Sequence, residues 1–208
     1  TVTAPSGAQA TQATSDSGGT YAQVGDGEYT YTFKNKAPAG FDKHATHSIG
    51  MWAARDLSEF DLDSIKNQAS DVYTWVPDGS AVTVTRDVIR TESCNKCHDP
   101  LQAHDERRGI SLCVMCHTPQ TTDPDTGNTV DMKVMVHKIH RGEELPSVQA
   151  GTPYVIIGNQ QSVHDYSDVV FPQDIRNCTT CHKSPDPTGK AVAQANIWYS
   201  EPNRAACG

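Results

Sequence analysis

The chain has 208 residues, 36% of them apolar and only 7% aromatic, and carries a formal net charge of -8. A side-chain core would be thin at that length, no basic stripe is present to neutralise nucleic-acid phosphates, and no apolar run approaches the roughly 20 residues that cross a bilayer. No apolar leader opens the chain at Thr1, so it reads as a mature chain or one cut from a longer precursor.

Residues 1–20 are small and polar without an apolar period and read as a linker or loosely held segment. Residues 21–90 read as a small antiparallel β domain. Within it, residues 28–33 set Tyr29, Tyr31 and Phe33 on one face and Thr30 and Thr32 on the other, the period of two of a half-buried strand. Residues 81–89 do the same, with Val82 and Val84 opposite Thr83 and Thr85. Shorter strands are expected at 46–54 and 71–76, with turns at Gly25-Asp26-Gly27, Pro38-Ala39-Gly40 and Pro77-Asp78-Gly79. Four or so strands make a thin sandwich or an incomplete barrel, which suggests that further strands precede Thr1.

Beyond residue 90 the character changes, and 91–208 reads as a second, loop-rich and helix-poor domain that holds all the cysteines and most of the histidines. One helix is expected there. Asp131 caps it, Met132, Val134, Met135, Val136 and Ile139 supply its apolar positions, and Gly142 ends it. The rest reads as loop that would not fold by itself, so a large apolar cofactor is expected to fill the interior.

Six of the seven cysteines fall in pairs two residues apart, and each pair is followed directly by histidine: Cys94/Cys97/His98, Cys113/Cys116/His117 and Cys178/Cys181/His182. This CxxCH pattern is that of c-type haem attachment. Two thiols on one short turn reach the two vinyl groups of a porphyrin edge, and the next imidazole points at the iron as its proximal ligand. A zinc ribbon also uses CxxC pairs, but zinc does not require histidine after every second cysteine. Three covalent haems c are therefore expected, matured outside the cytoplasm.

Three irons then need three distal ligands. His137 and His140 project from one flank of the expected helix and suit two neighbouring haems. His104 follows the first motif closely and is expected on a haem other than the one His98 holds. His164, on a polar loop before the third motif, is the remaining candidate, with a surface histidine as its alternative. His44 and His47 belong to the β region and read as ordinary strand or edge residues. Methionine is the other common distal ligand, but Met132 and Met135 read as helix core and Met115 lies inside a CxxC turn. Two imidazoles at every iron imply low-spin, low-potential haems without a vacant site for substrate. Arg107, Arg108, Lys138, Arg141 and Arg176 are candidates for pairing with haem propionates, a solvated face being the alternative. The stretch 123–128 resembles a calcium loop with its glycine displaced, and reads better as an Asx turn. Cys207, beside Gly208, looks like the first half of a fourth CxxCH, or else a lone thiol.

Several stretches go beyond bare CxxCH: GDGEYTYTFK from Gly25, THSIGMWAAR from Thr46, SCNKCHDPLQAHDERRG from Ser93, CVMCHTPQTTDPDTGNTVDMKVMVHKIHRGEELP from Cys113, and VHDYSDVVFPQDIRNCTTCH from Val163. With these the chain resembles the OmcA/MtrC-type decahaem outer-membrane cytochromes of metal-reducing bacteria. The resemblance implies a Greek-key split β-barrel, of which residues 21–90 would be the tail. It also implies that 91–208 opens a pentahaem module, with a fourth haem begun by Cys207. It further implies electron transfer at the extracellular face of the outer membrane, or in secreted form, to metal oxides, flavins, electrodes or partner cytochromes, in company with other multihaem cytochromes or a porin-cytochrome complex. The departure is size, with three complete motifs in place of ten. Two other functions compete: a periplasmic multihaem reductase with one open iron, and a structural cytochrome of a surface filament.

Overall fold

In a computed structural model of the chain, the residues described are 13–37, 39–62, 66–83, 85–119, 121–182, 189 and 191–207, without the side chain of Cys207. Among the described residues, four two-stranded antiparallel sheets and a set of short helices make up the architecture.

The β region consists of two hairpins. β1 (Thr20–Gly25) pairs with β2 (Glu28–Thr32) around the Asp26-Gly27 turn, where Gly27 takes a φ of 69° that a side chain would resist. An aromatic row runs along this hairpin, Tyr21 against Tyr31 at 4.7 Å and Tyr31 against Phe33 at 5.1 Å. β3 (His47–Asp56) pairs with β4 (Lys66–Trp75) over their whole length. Both strands outrun the expected 46–54 and 71–76. The β1 strand was not legible at all, because its sequence TYAQVG alternates poorly.

Two expectations are corrected. Residues 81–83 and 85–89 form no strand despite their alternating sequence; Val84 lies outside the described residues. Period two makes a strand only where another strand lies alongside. Here the backbone is tied to the far end of the chain: Gln194 N donates to Asp87 O at 2.8 Å, and Asp87 N donates to Gln194 Oε1 at 2.8 Å. Residues 13–19, read as loose linker, are fastened. The Asp16 carboxylate accepts from Asn35 N, Gly18 N and the Tyr31 hydroxyl, donors that hold it below the ordinary carboxylate range. Ala13 N also donates to Met115 O at 3.2 Å. Residues 1–12 of the expected linker lie outside the described residues.

In the second region α1 (Thr91–Cys94) leads into the tiny hairpin of β5 (Gln102–Ala103) and β6 (Arg107–Arg108), then α2 (Ile110–Cys116). α3 (Met132–Arg141) starts and stops where the sequence predicts: the Asp131 carboxylate accepts from Lys133 N at 3.1 Å, and Gly142 follows the last turn. α4 (Pro146–Gln149), the hairpin of β7 (Val155–Ile157) and β8 (Val163–Asp165), α5 (Ile197–Ser200) and α6 (Arg204–Cys207) complete the chain.

The β3-β4 hairpin is the platform for α2. Gly50 on β3 faces Leu112 and Met115, and a Cβ there would stand 2.5 Å from Leu112 Cδ1. Arg108 adds hydrogen bonds to Gln68 O at 3.1 Å and Gln68 Oε1 at 2.9 Å. A satellite core of Leu145, Tyr154 and Ile156 is flanked by Met135 and Ile139 of α3. Leu145→Ala removes a buried side chain from it and is expected to cost about 2–5 kcal/mol in denaturant unfolding of the loaded protein; a change below about 0.5 kcal/mol would show that this cluster does not hold α3.

Candidate functional site

The three CxxCH segments share one backbone turn. In each, the histidine N–H donates to the carbonyl of the first cysteine: His98 to Cys94 O at 3.0 Å, His117 to Cys113 O at 3.0 Å and His182 to Cys178 O at 2.9 Å. Of the six thiols none is in a disulfide. Cys94 is pushed up to about 11 by burial, with Cys181 and Cys113 nearby adding to the effect. Burial likewise raises the Cys113 and Cys181 thiols. First and third motifs are joined directly, Lys96 Nζ donating to Thr180 O at 3.1 Å.

The fold brings a second imidazole to each CxxCH histidine. His140 lies against His98 with ring centroids 6.0 Å apart, His104 against His117 at 6.0 Å, and His137 against His182 at 6.4 Å. One metal ion between two imidazoles, about 2.0–2.1 Å from each ligating nitrogen, puts the ring centroids about 6 Å apart. Direct contact of two rings would place them closer. The spacing therefore fits an iron between each pair.

The ring nitrogens agree with that reading. Nδ1 of His137 donates to Lys133 O at 2.5 Å, Nδ1 of His140 to Val136 O at 2.7 Å, and Nδ1 of His117 to Val130 O at 2.8 Å. Each bond fixes the tautomer and turns Nε2 toward the partner ring, as a metal-binding histidine requires. On α3 both acceptors are the carbonyls four residues back, so the helix sends the two side chains off in the same way. Burial, then Arg107, keeps His104 below the ordinary imidazole range. Burial, then His137, does the same for His182. Neutral imidazole is the ligating form. Near these rings Arg107 Nε and Trp198 Nε1 are buried without a protein partner, and Trp198 stands 6.4 Å from His182. Donors of that kind suit a cofactor that carries its own acceptors.

His104 sits at the tip of the β5-β6 hairpin with φ 51°, followed by Asp105 at φ 64°. Two successive residues in the left-handed region turn the chain so that the imidazole reaches toward α2, and strain of this sort gathers at functional positions. His104 was expected on a haem other than the one His98 holds, and its ring lies beside that of His117.

The remaining candidates stand outside these ring pairs, although His164 is near enough to His104 to lower its proton affinity. His164 stacks on Tyr166 at 6.5 Å, with Nε2 3.0 Å from Ser162 Oγ, and faces no CxxCH histidine. His44 is paired with Asp78 at 2.6 Å, and His47 Nε2 bonds to Asp42 O at 2.7 Å. Cys207 ends α6, but its side chain is outside the described residues. Met115 is buried beneath the β platform. Most of the basic residues considered for propionates are engaged. Arg108 is bound to β4, Arg107 lies over Trp52 at 4.6 Å, and Arg176 holds Asp174 at 2.6 Å. The Asp123 carboxylate accepts from Asp125 N, Thr126 Oγ1 and Ile157 N. Its oxygens are spent on an Asx turn, and no group of three or more possible metal donors occurs among the described residues. No described helix is long and apolar enough to cross a membrane. The missed signal was α2: Leu112 and Met115, three apart, are its buried face.

Comparison with known proteins agrees with this geometry. Residues 86–208, more than half of the chain, match the family described as outer membrane cytochrome MtrC/MtrF-like, domains II/IV. The multiheme cytochrome MtrC of Shewanella baltica (strain OS185) is 24% identical over 198 residues, covering 91% of this chain and 25% of that protein. The crystal structure of the outer membrane decaheme cytochrome OmcA superposes with a TM-score of 0.69 at 28% identity, over 90% of this chain and 28% of the other. The chain thus spans about a quarter of the length of the relatives it matches. Its CxxCH motifs, their shared turn and the family match lead to one conclusion: this chain belongs to the MtrC/MtrF-like outer membrane cytochromes, and its cofactor is haem c.

Proposed function

We propose that the chain carries three haems c, each iron held by two histidines, and passes electrons among them and on to an external acceptor. His98 with His140, His117 with His104 and His182 with His137 are the axial pairs, with Cys94, Cys97, Cys113, Cys116, Cys178 and Cys181 as the thioether positions. The carrying observation is the spacing of the three ring pairs at 6.0, 6.0 and 6.4 Å. When bound, haem c supplies a one-electron ferric/ferrous couple. The protein supplies two imidazoles per iron and so leaves none open to a substrate. That favours a carrier over a reductase, since each of the three CxxCH histidines has a partner ring.

The wider reading follows from kinship with outer-membrane cytochromes. In it the chain works at the extracellular face, with partner cytochromes or a porin-cytochrome complex supplying electrons, and metal oxides or flavins receiving them; the outer-membrane relatives support this reading. Residues 21–90 then belong to a split barrel of Greek-key type and 91–208 to a multihaem domain, with Cys207 opening a fourth motif. The test is intact mass together with oxidised and reduced absorbance spectra. Three covalent haems per chain, all low-spin, are expected. A high-spin ferric fraction in the resting protein would favour the reductase, and colourless protein holding zinc would end the haem reading.

A further inference from the structure

The three ring pairs differ in one respect. His104 and His117 are 22° from coplanar and His137 and His182 are 16° from it, whereas His98 and His140 are crossed at 85°. His140 is held from two sides. Its Nδ1 donates to Val136 O at 2.7 Å, and the Phe171 ring meets it edge-on at 5.4 Å and 90°. His137, three residues back on the same helix, makes the equivalent backbone bond without such a ring against it among the described residues.

Phe171 arrives on a strap tied to the end of α3. Glu143 N donates to Val169 O at 3.1 Å, and Val169 N donates to Tyr166 O at 3.3 Å. Gly142, at φ +43°, lets the strap come this close, since a Cβ there would stand 2.1 Å from Val169 O. The edge-on ring therefore has a fixed origin, and rotation of the His140 imidazole about its own bond would drive it into the Phe171 ring.

The angle between axial rings has an electronic consequence. Each imidazole plane directs its π orbital at one of the iron dπ orbitals. Parallel rings act on the same orbital and split the pair, while crossed rings act on both and leave them nearly equal in energy. In low-spin ferric iron the unpaired electron then keeps more orbital moment, and its paramagnetic signal becomes highly anisotropic. We infer that Phe171 is a positioning residue that holds His140 crossed to His98, and that the iron of the first motif is thereby electronically unlike the other two. This rests on the two-histidine ligation proposed above.

Low-temperature electron paramagnetic resonance of the fully loaded ferric protein tests it. Two irons are expected to give rhombic low-spin signals, and one iron in three a highly anisotropic signal at low field. In Phe171→Ala the anisotropic signal is expected to lose at least half its intensity to the rhombic species, with haem content unchanged. Phe171→Tyr keeps the edge-on ring and the wild-type spectrum. Phe171→Leu keeps apolar bulk without a planar edge; it should behave like the alanine variant and serves if that variant does not accumulate. Three rhombic signals in the wild type, or an anisotropic signal that persists undiminished in Phe171→Ala or Phe171→Leu, overturns the role of Phe171 and leaves two-histidine ligation standing. A high-spin wild-type spectrum overturns both.

Discussion

In the His140→Ala protein one iron in three is expected to turn high-spin and to bind one equivalent of carbon monoxide, while the loaded wild type binds none. His98 would keep its place on the iron, because its turn and the neighbouring cysteines are untouched. The opposite side would open where the His140 imidazole stood 6.0 Å from the His98 ring. His137→Ala is expected to do the same at the His182 iron and His104→Ala at the His117 iron, each for one third of the haem. His164→Ala and His47→Ala serve as controls, since neither ring faces a CxxCH histidine, and their spectra should match the parent. The readout is the ferric high-spin absorbance and the carbon monoxide difference spectrum of the reduced protein. If every variant stayed fully low-spin, the three pairs would not be axial pairs.

The second large effect concerns folding. Replacing all six CxxCH cysteines by serine should leave a chain without cooperative unfolding. Eight apolar residues are buried among those described, and no described side chain is below 2% exposure. At about 25 cal/mol per Å² so little buried apolar area does not offset the entropy of ordering the chain. Ligation and burial of cofactor must provide the difference, so that binding free energy becomes folding free energy, as in small structural metal domains. Near-UV circular dichroism and denaturant titration of the serine variant decide it. A sigmoidal transition with native-like near-UV signal would show that side chains suffice.

What could be read from the sequence was whatever local chemistry determines. The bounds of α3 follow from Asp131, an apolar period and Gly142, and all three act within a turn of the helix end. The CxxCH turns are equally local, five residues fixing their own geometry. Ligand pairing was not legible, because His104 meets His117 only through a hairpin tip whose positive φ values no periodicity announces. Residues 81–89 misled for a related reason: alternation states which face a strand would bury, but not whether a partner strand exists. Phe171 was invisible too, since its importance arises from a strap folding back across Gly142.

His137 and His140 belong to one ten-residue helix, yet face histidines of the third and first motifs. Side chains on a helix are placed more accurately than those on loops. α3 is thus a common axle: any thermal displacement of it carries both rings together, so the two ring pairs keep their spacing even while the surrounding loops fluctuate.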